Sequence, residues 1–346
     1  MKLALHWEDA AAKRITEAQA RRVLSDIHEQ IHGTRLSSPS VNEFVAQWLG
    51  RKQGETRAVT HAVYRHAVEE FAEALGDKAA QPLHYVTPTL VAAWRDAAAK
   101  KASPRTANNK LKILRTLFQS AWRDGLLVDN PAAKVEGLKT EESARRPFTQ
   151  SELKALLRVA SQDWRGMILA GLYTGQRLKD LAGLTWANVD LEADQIRLTT
   201  SKTGRSQVLP IAKPLRNFLD ELPAGDDPRA PIFPTLYPLA LLSNGSSPMS
   251  QQFYELSVSA GIVPARLTKD KSAGKGRSAP RERSAVSFHS LRHTATSMLK
   301  AAGVSESVTR DIIGHESAEI SRHYTHVEDS SKRKALAKLP DVTVKG

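Results

Sequence analysis

Apolar side chains recur along most of this chain at the helical period of about 3.6 residues, in two blocks separated by an aperiodic, charged stretch from Lys134 to Arg146. Val41, Phe44, Val45 and Trp48 open the first block; Tyr64, Ala67, Val68, Phe71 and Leu75 follow before Gly76. Thr87-Pro88 predicts a third helix start, because proline fits the first turn, where its missing N–H is not needed. A fourth helix is expected from about Thr106, with Leu111, Leu114, Leu117, Phe118, Ala121 and Trp122 on one stripe. Its other side carries Asn108, Asn109, Lys112, Arg115 and Arg123, a face for solvent or for phosphates. This predicts a four-helix unit over residues 37–133, a helical extension over 1–36, a linker over 134–147, a second domain over 148–327 and a tail over 328–346.

The second block is also mostly helical. Thr149 or Ser151 ahead of Glu152 has capping-box chemistry. Residues 195–200 alternate in strand fashion, Ser201-Lys202-Thr203-Gly204 is a turn, and 206–211 returns, which predicts a β-hairpin with Lys202 at its tip. From Asp226 to Ser287 the period dissolves into proline, serine and glycine and then a basic run, expected to be a loop that can order on phosphates. The fold class is therefore mainly α: a four-helix domain, then a mixed α/β, mostly helical domain with a small sheet.

Composition narrows the chemistry. The chain has no cysteine, which removes disulfide scaffolds, thiolate zinc sites and cysteine nucleophiles. Its formal charge of +13 over 346 residues points to a polyanionic partner. The longest uncharged run, residues 230–254, is broken by four prolines, so no membrane span is expected. His6, Glu8 and Asp9 precede any apolar region, which argues against a secretory signal and for a cytoplasmic protein.

Five of the eleven histidines lie between His289 and His326, and none between His84 and His289. His289 and Arg292 share the first turn of one expected helix, where free N–H groups and the dipole favour an anion. A second helix from Ser305 closes at Gly314 and delivers His315; Tyr324 follows among basic neighbours. Upstream, Thr174-Gly175 ends one helix and Arg177 begins the next, with Leu178, Leu181 and Leu184 inward and Asp180 facing away from the core. His289 and His293 have the i, i+4 spacing of a zinc helix, but Ser290 stands where a metalloprotease motif needs its glutamate, so no metal site is assigned.

The stretches TGQRLKDLAGLTWANVD, TSKTGRSQVLPI, FHSLRHTATSML and IIGHESAEISRHYTHV resemble, in order and spacing, the four conserved boxes of the tyrosine recombinases, the phage-integrase-like enzymes. The resemblance covers roughly Arg146 to Val327, and the preceding unit looks like that family's SAM-like core-binding domain, the two closing as a C-shaped clamp on DNA. The segment from Asp226 to Ser287 is longer than the family usually needs.

The resemblance implies DNA strand breakage and rejoining. Tyr324 would attack a phosphodiester to give a 3′-phosphotyrosyl link, and His289 would accept its proton. Arg177 and Arg292 would hold the non-bridging oxygens, His315 would donate to them, and Lys202 would protonate the leaving 5′-oxygen. Asp180 would orient Arg177 or His289. Asn108, Asn109, Lys112, Arg115 and Arg205 would contact DNA. No cofactor is implied, since arginines stand where a divalent ion would otherwise neutralise charge. The implied partners are double-stranded attachment-site DNA, a homotetramer assembled on it, and accessory bending or directionality factors, in a nucleoid-associated setting. The tail after Val327 would pack on a neighbouring protomer or fray. Two other readings are a type IB topoisomerase, which would relax any supercoiled plasmid, and a non-catalytic DNA-binding protein, which would form no covalent adduct.

Overall fold

The computed structural model describes residues 24, 27, 29–31, 38–140, 145–202, 204–223, 227–265, 284–314 and 329–342. They form two compact units that divide between Glu141 and Glu142. The expected extension over 1–36 lies almost wholly outside the described residues. No helix among the described residues is long and apolar enough to cross a membrane.

From Val41 on, the described residues of the first unit form the helices α1 (Val41–Glu55), α2 (Ala58–Leu75), α3 (Pro88–Lys101) and α4 (Pro104–Arg123). Ser40 and Glu43 form a reciprocal capping box at α1, and Thr87 and Ser103 cap α3 and α4 with proline in the first turn. Phe44, Trp48, Phe71, Leu114 and Phe118 are fully buried at the centre. Phe71 meets Trp94 and Phe118 edge-on, with centroids 5.5 and 5.9 Å apart, the arrangement that ring quadrupoles favour.

The buried stripe of α4 runs through Leu111, Leu114, Leu117, Phe118 and Ala121, but Trp122 is 47% exposed. One residue is about 100° of helix, so position 122 has already turned off a core that 121 still faces. The opposite side is not simply a free face. Asn108 donates to the Leu138 carbonyl (2.8 Å) and accepts from the Leu138 N–H (2.7 Å). Arg115 donates to the carbonyls of Ala132 (3.2 Å) and Val135 (2.5 Å). These two side chains pin the chain that leaves the unit, and Ala132 and Val135 are buried in its core, so the packed unit extends to Leu138, past the expected linker start at 134. Asn109 and Lys112 remain exposed.

In the second unit, α5 (Gln150–Val159) starts on the Thr149–Glu152 capping box. Arg146 grips Glu152 with both guanidinium nitrogens (2.7 and 2.5 Å), and the Glu152 carboxyl falls to a pKa of about 2, mainly through that contact. Helix α6 (Gln162–Thr174) is buried along nearly its whole length and leads to the short α7 (Leu178–Ala182). A three-stranded antiparallel sheet follows, in the order β1 (Val189–Asp190), β2 (Gln195–Thr199), β3 (Ser206–Pro210), with Ile196 opposite Leu209. The hairpin thus stands as expected; β1 is a third strand that its own two residues did not signal. Next come α8 (Lys213–Asp220), α9 (Tyr237–Leu241), α10 (Ser246–Ser259), α11 (Phe288–Ala301), α12 (Glu306–Ile313) and α13 (Asp329–Leu336).

One expectation is corrected here. The segment 226–287 is not uniformly irregular, because it contains α9 and α10. Pro238 and Pro248 sit in the opening turns of these helices, where proline starts a helix instead of breaking it, and Met249 and Phe253 turn into the core. The basic run at 266–283 lies outside the described residues. Within the described part of the tail, residues 329–342, Ala335, Leu336, Leu339 and Val342 are buried in this unit's own core. Tyr173 donates its hydroxyl to the Pro340 carbonyl at 2.8 Å, and burial pushes the phenol pKa up to about 12.

Candidate active site

Two helix C-termini meet at the centre of the second unit. Helix α6 ends at Gly175 (φ +64°) and α12 at Gly314 (φ +71°), both left-handed caps that only glycine adopts without strain. A β-carbon on Gly175 would stand 2.3 Å from Ile313 Cδ1, so the same glycine also permits the close approach. Arg292, in the second turn of α11, bridges the two ends: Nη1 donates to the Gly175 carbonyl (2.7 Å) and Nη2 to the Gly314 carbonyl (3.1 Å). Carbonyls left open at helix C-termini, with their negative dipole ends, suit a cation there. Arg292 is only 4% exposed; burial and then the neighbouring Arg177 lower its pKa to about 10, with Asp180 opposing, and it stays charged at neutral pH. A guanidinium has five donors, so N–H groups remain for an anion.

Arg177 caps α7, with its side chain one-third exposed. Its Nη1 lies 4.0 Å from Asp180 Oδ2, while Asp180 Oδ1 accepts the Ser201 backbone N–H at 2.9 Å. The expectation that Asp180 faces away from the interior is therefore wrong: its carboxylate is 1% exposed, because the hairpin turn folds over it. That turn is closed by Thr200 N–H to Arg205 (2.9 Å) and Gly204 N–H to Thr200 (2.8 Å), which leaves Lys202 exposed at the tip. Arg205 is tied within the unit: its Nη2 meets Asp311 at 3.1 Å, and Lys332 meets the other Asp311 oxygen at 2.8 Å.

His289 lies one turn before Arg292 on α11, with part of its ring open to solvent and its plane edge-on to His293 at 5.0 Å. Burial, then His293, Arg292, Arg145 and Arg177, hold its pKa down to about 4, so the imidazole is neutral and able to accept a proton at pH 7. A cleft of about 520 Å³ opens beside them, lined by Arg145, Arg177, Lys179, Ser201 and His289, with no aspartate or glutamate among the described residues of its wall. The structure thus brings Arg177, Asp180 and His289 together with the hairpin turn that carries Lys202, and sets Arg292 beneath them. His315 and Tyr324 lie outside the described residues. Arg145, Lys179 and Asp311 were not singled out from sequence; none has a periodicity or motif that marks it.

The profile of the phage integrase family matches residues 146–331. The chain belongs to this family. Curated relatives include tyrosine recombinase XerC of Listeria innocua, 22% identical over 276 residues, 78% of this chain and 87% of that one. Tyrosine recombinase XerD of Brucella suis is 25% identical over 328 residues, covering 88% and 97%. Among solved structures, the lambda integrase dimer bound to a COC' core site is 18% identical with a TM-score of 0.59, covering 83% of this chain and 98% of that one. The Tn1549 transposon integrase in complex with a circular intermediate DNA is 18% identical with a TM-score of 0.61, covering 88% and 100%. These two share the fold. The chain is accordingly a site-specific tyrosine recombinase, an enzyme that breaks and rejoins DNA strands.

Proposed function

We propose that this integrase inserts or excises a mobile element through a 3′-phosphotyrosyl intermediate formed on Tyr324. The observation that carries the reading is the cleft itself: Arg177 and the neutral His289 on a wall with no carboxylate among its described residues, with Arg292 tied under it between Gly175 and Gly314. The scissile phosphate binds against Arg177 and the remaining donors of Arg292, whose charge offsets that built up on the non-bridging oxygens. His289 takes the phenolic proton as the Tyr324 oxygen attacks phosphorus, and His315 adds a donor to the phosphate. Lys202 delivers a proton to the departing 5′-oxygen. Asp180 holds the Lys202 turn and Arg177 in register through Ser201. The ester conserves the energy of the broken bond, so a 5′-hydroxyl from another strand can reseal it without a cofactor.

Asn109 and Lys112 on the first unit contact the duplex backbone, with Asn108 and Arg115 acting behind them on the chain at 132–138. Reciprocal exchange between two duplexes calls for four protomers, and a lambda integrase tetramer bound to a Holliday junction has this fold, at 17% identity and a TM-score of 0.60. Accessory bending or directionality factors and work on the nucleoid belong to the same proposal. The deciding experiment incubates the protein in EDTA with a nicked duplex carrying its attachment site and looks for a covalent adduct on a denaturing gel. The wild type forms it and Tyr324→Phe does not; an adduct that persists in the variant removes Tyr324 as nucleophile. Topoisomerase activity would show as relaxation of plasmids lacking the site.

A further inference from the structure

Arg145 and Arg146 are adjacent, yet the fold uses them differently. Arg146 is fully engaged: its guanidinium grips Glu152 and its N–H donates to the Ala285 carbonyl at 3.1 Å. That pairing fixes the backbone on the C-terminal side of Arg145. Arg145 itself is exposed, and among the described residues it makes no hydrogen bond or ion pair. It lines the cleft that holds Arg177 and His289. Its charge reaches the imidazole, since Arg145 is among the groups that depress the His289 pKa.

A second observation lies on the same wall. The Ser284 hydroxyl oxygen is buried and has no hydrogen-bond partner among the described residues, and Ser284 lines the cleft next to Ala285, whose carbonyl accepts the Arg146 N–H. A buried hydroxyl without a partner costs free energy unless a ligand satisfies it. Ser246 and Ser250, in the first turns of α10, add to a polar rim with no carboxylate among its described residues. Two guanidiniums suffice for the two non-bridging oxygens of one phosphate, and a cleft of about 520 Å³ exceeds what a single phosphate fills.

We propose that Arg145 and Ser284 form a second phosphate subsite, which holds the phosphodiester neighbouring the scissile one on the same strand. This rests on the recombinase reading given above. It assigns Arg145 a direct role in setting which bond enters the active site: gripping the neighbouring phosphate fixes the register of the strand, while Arg177 and Arg292 act on the bond that breaks. Arg145 is in this sense a substrate-positioning residue and not one of the groups that act on the reacting phosphorus.

The test measures affinity for a random-sequence duplex of about 30 bp by fluorescence anisotropy across a salt series, together with single-turnover adduct formation on the attachment-site duplex. Losing one phosphate contact lowers the slope of log K against log salt by about 0.9. Arg145→Ala is expected to show that drop, Arg145→Lys to restore it, and Ser284→Ala to weaken binding without changing the slope. At saturating DNA, Arg145→Ala should still form adduct within about tenfold of the wild-type rate, far above Arg177→Ala. An unchanged slope in Arg145→Ala overturns the subsite. So does a loss of cleavage as deep as that of Arg177→Ala, which would put Arg145 on the scissile phosphate. A wild type that binds duplex but forms no adduct would instead refute the recombinase reading, and the salt slope would still report on the subsite.

Discussion

Asp311 is the point at which three parts of the second unit are tied, and removing its charge should be costly. Its two carboxylate oxygens meet Arg205, which closes the turn bearing Lys202, and Lys332 of α13, while its own helix α12 leads to Gly314 and His315. The carboxylate is 10% exposed and its partners 22% and 13%. Truncating one member of a buried pair typically costs about 3–5 kcal/mol, because the other charge is left desolvated. Partial exposure of both cations returns some hydration, so Asp311→Ala is expected at the lower end, about 3 kcal/mol. Asp311→Asn keeps an acceptor and should lose about half of that, on the order of 1.5 kcal/mol. Arg205→Ala leaves the carboxylate with Lys332, and a double-mutant cycle between positions 205 and 311 should give a coupling of about 1 kcal/mol or more. Urea unfolding followed by tryptophan fluorescence measures the stabilities, and adduct formation measures whether the Lys202 turn stays in place. A coupling below about 0.3 kcal/mol would mean that the contact is incidental and that the turn is held by Asp180 alone.

Other outcomes follow from the same geometry. Gly175→Ala forces a left-handed alanine and drives a methyl to within 2.3 Å of Ile313 Cδ1; the backbone term of about 1–2 kcal/mol and overpacking of about 1–3 kcal/mol should lower Tm by many degrees, and an unchanged Tm would refute the close approach. Arg177→Ala should bind duplex nearly as well as wild type but lose several orders of magnitude in cleavage, read by single-turnover adduct formation. His289 binds its proton near pH 6.5 when unfolded and only near 4 when folded, so the unfolded state takes up more protons between these values. Stability from this group is complete above about pH 6.5 and declines as pH falls toward 4; between pH 7.5 and 5 the Tm of His289→Gln should fall less than that of the wild type. Tyr173→Phe removes the bond to Pro340 and should cost about 0.5–1.5 kcal/mol, with faster hydrogen exchange confined to the tail after Leu336 as its signature.

Much of the scaffold was legible because it follows from local rules. Helix starts at Thr87 and Thr149 are marked by a short polar side chain, with a proline after Thr87, whose effect extends one turn; α4 begins after Ser103, ahead of the expected start near Thr106. The hairpin is written in alternation, and Gly175 and Gly314 signal their own left-handed caps. The prolines at 238 and 248 misled because their meaning depends on whether the following residues find a core, which no window of sequence states. Trp122 misled for a similar reason: the width of the buried stripe is set by neighbouring helices, not by α4.

The sequence by itself determined the family and the order of its chemistry-bearing residues, because residue types at fixed spacing on a helix or turn suffice for that. Only the tertiary structure decided which of them are available. It occupied Asn108, Arg115 and Arg205 with partners between 17 and 106 residues away, buried Asp180 under a turn 21 residues on, and seated the tail in its own domain's core. Hydrogen bonding and burial are settled by whatever group arrives in space, and charge, spacing and periodicity along the chain carry no record of that arrival.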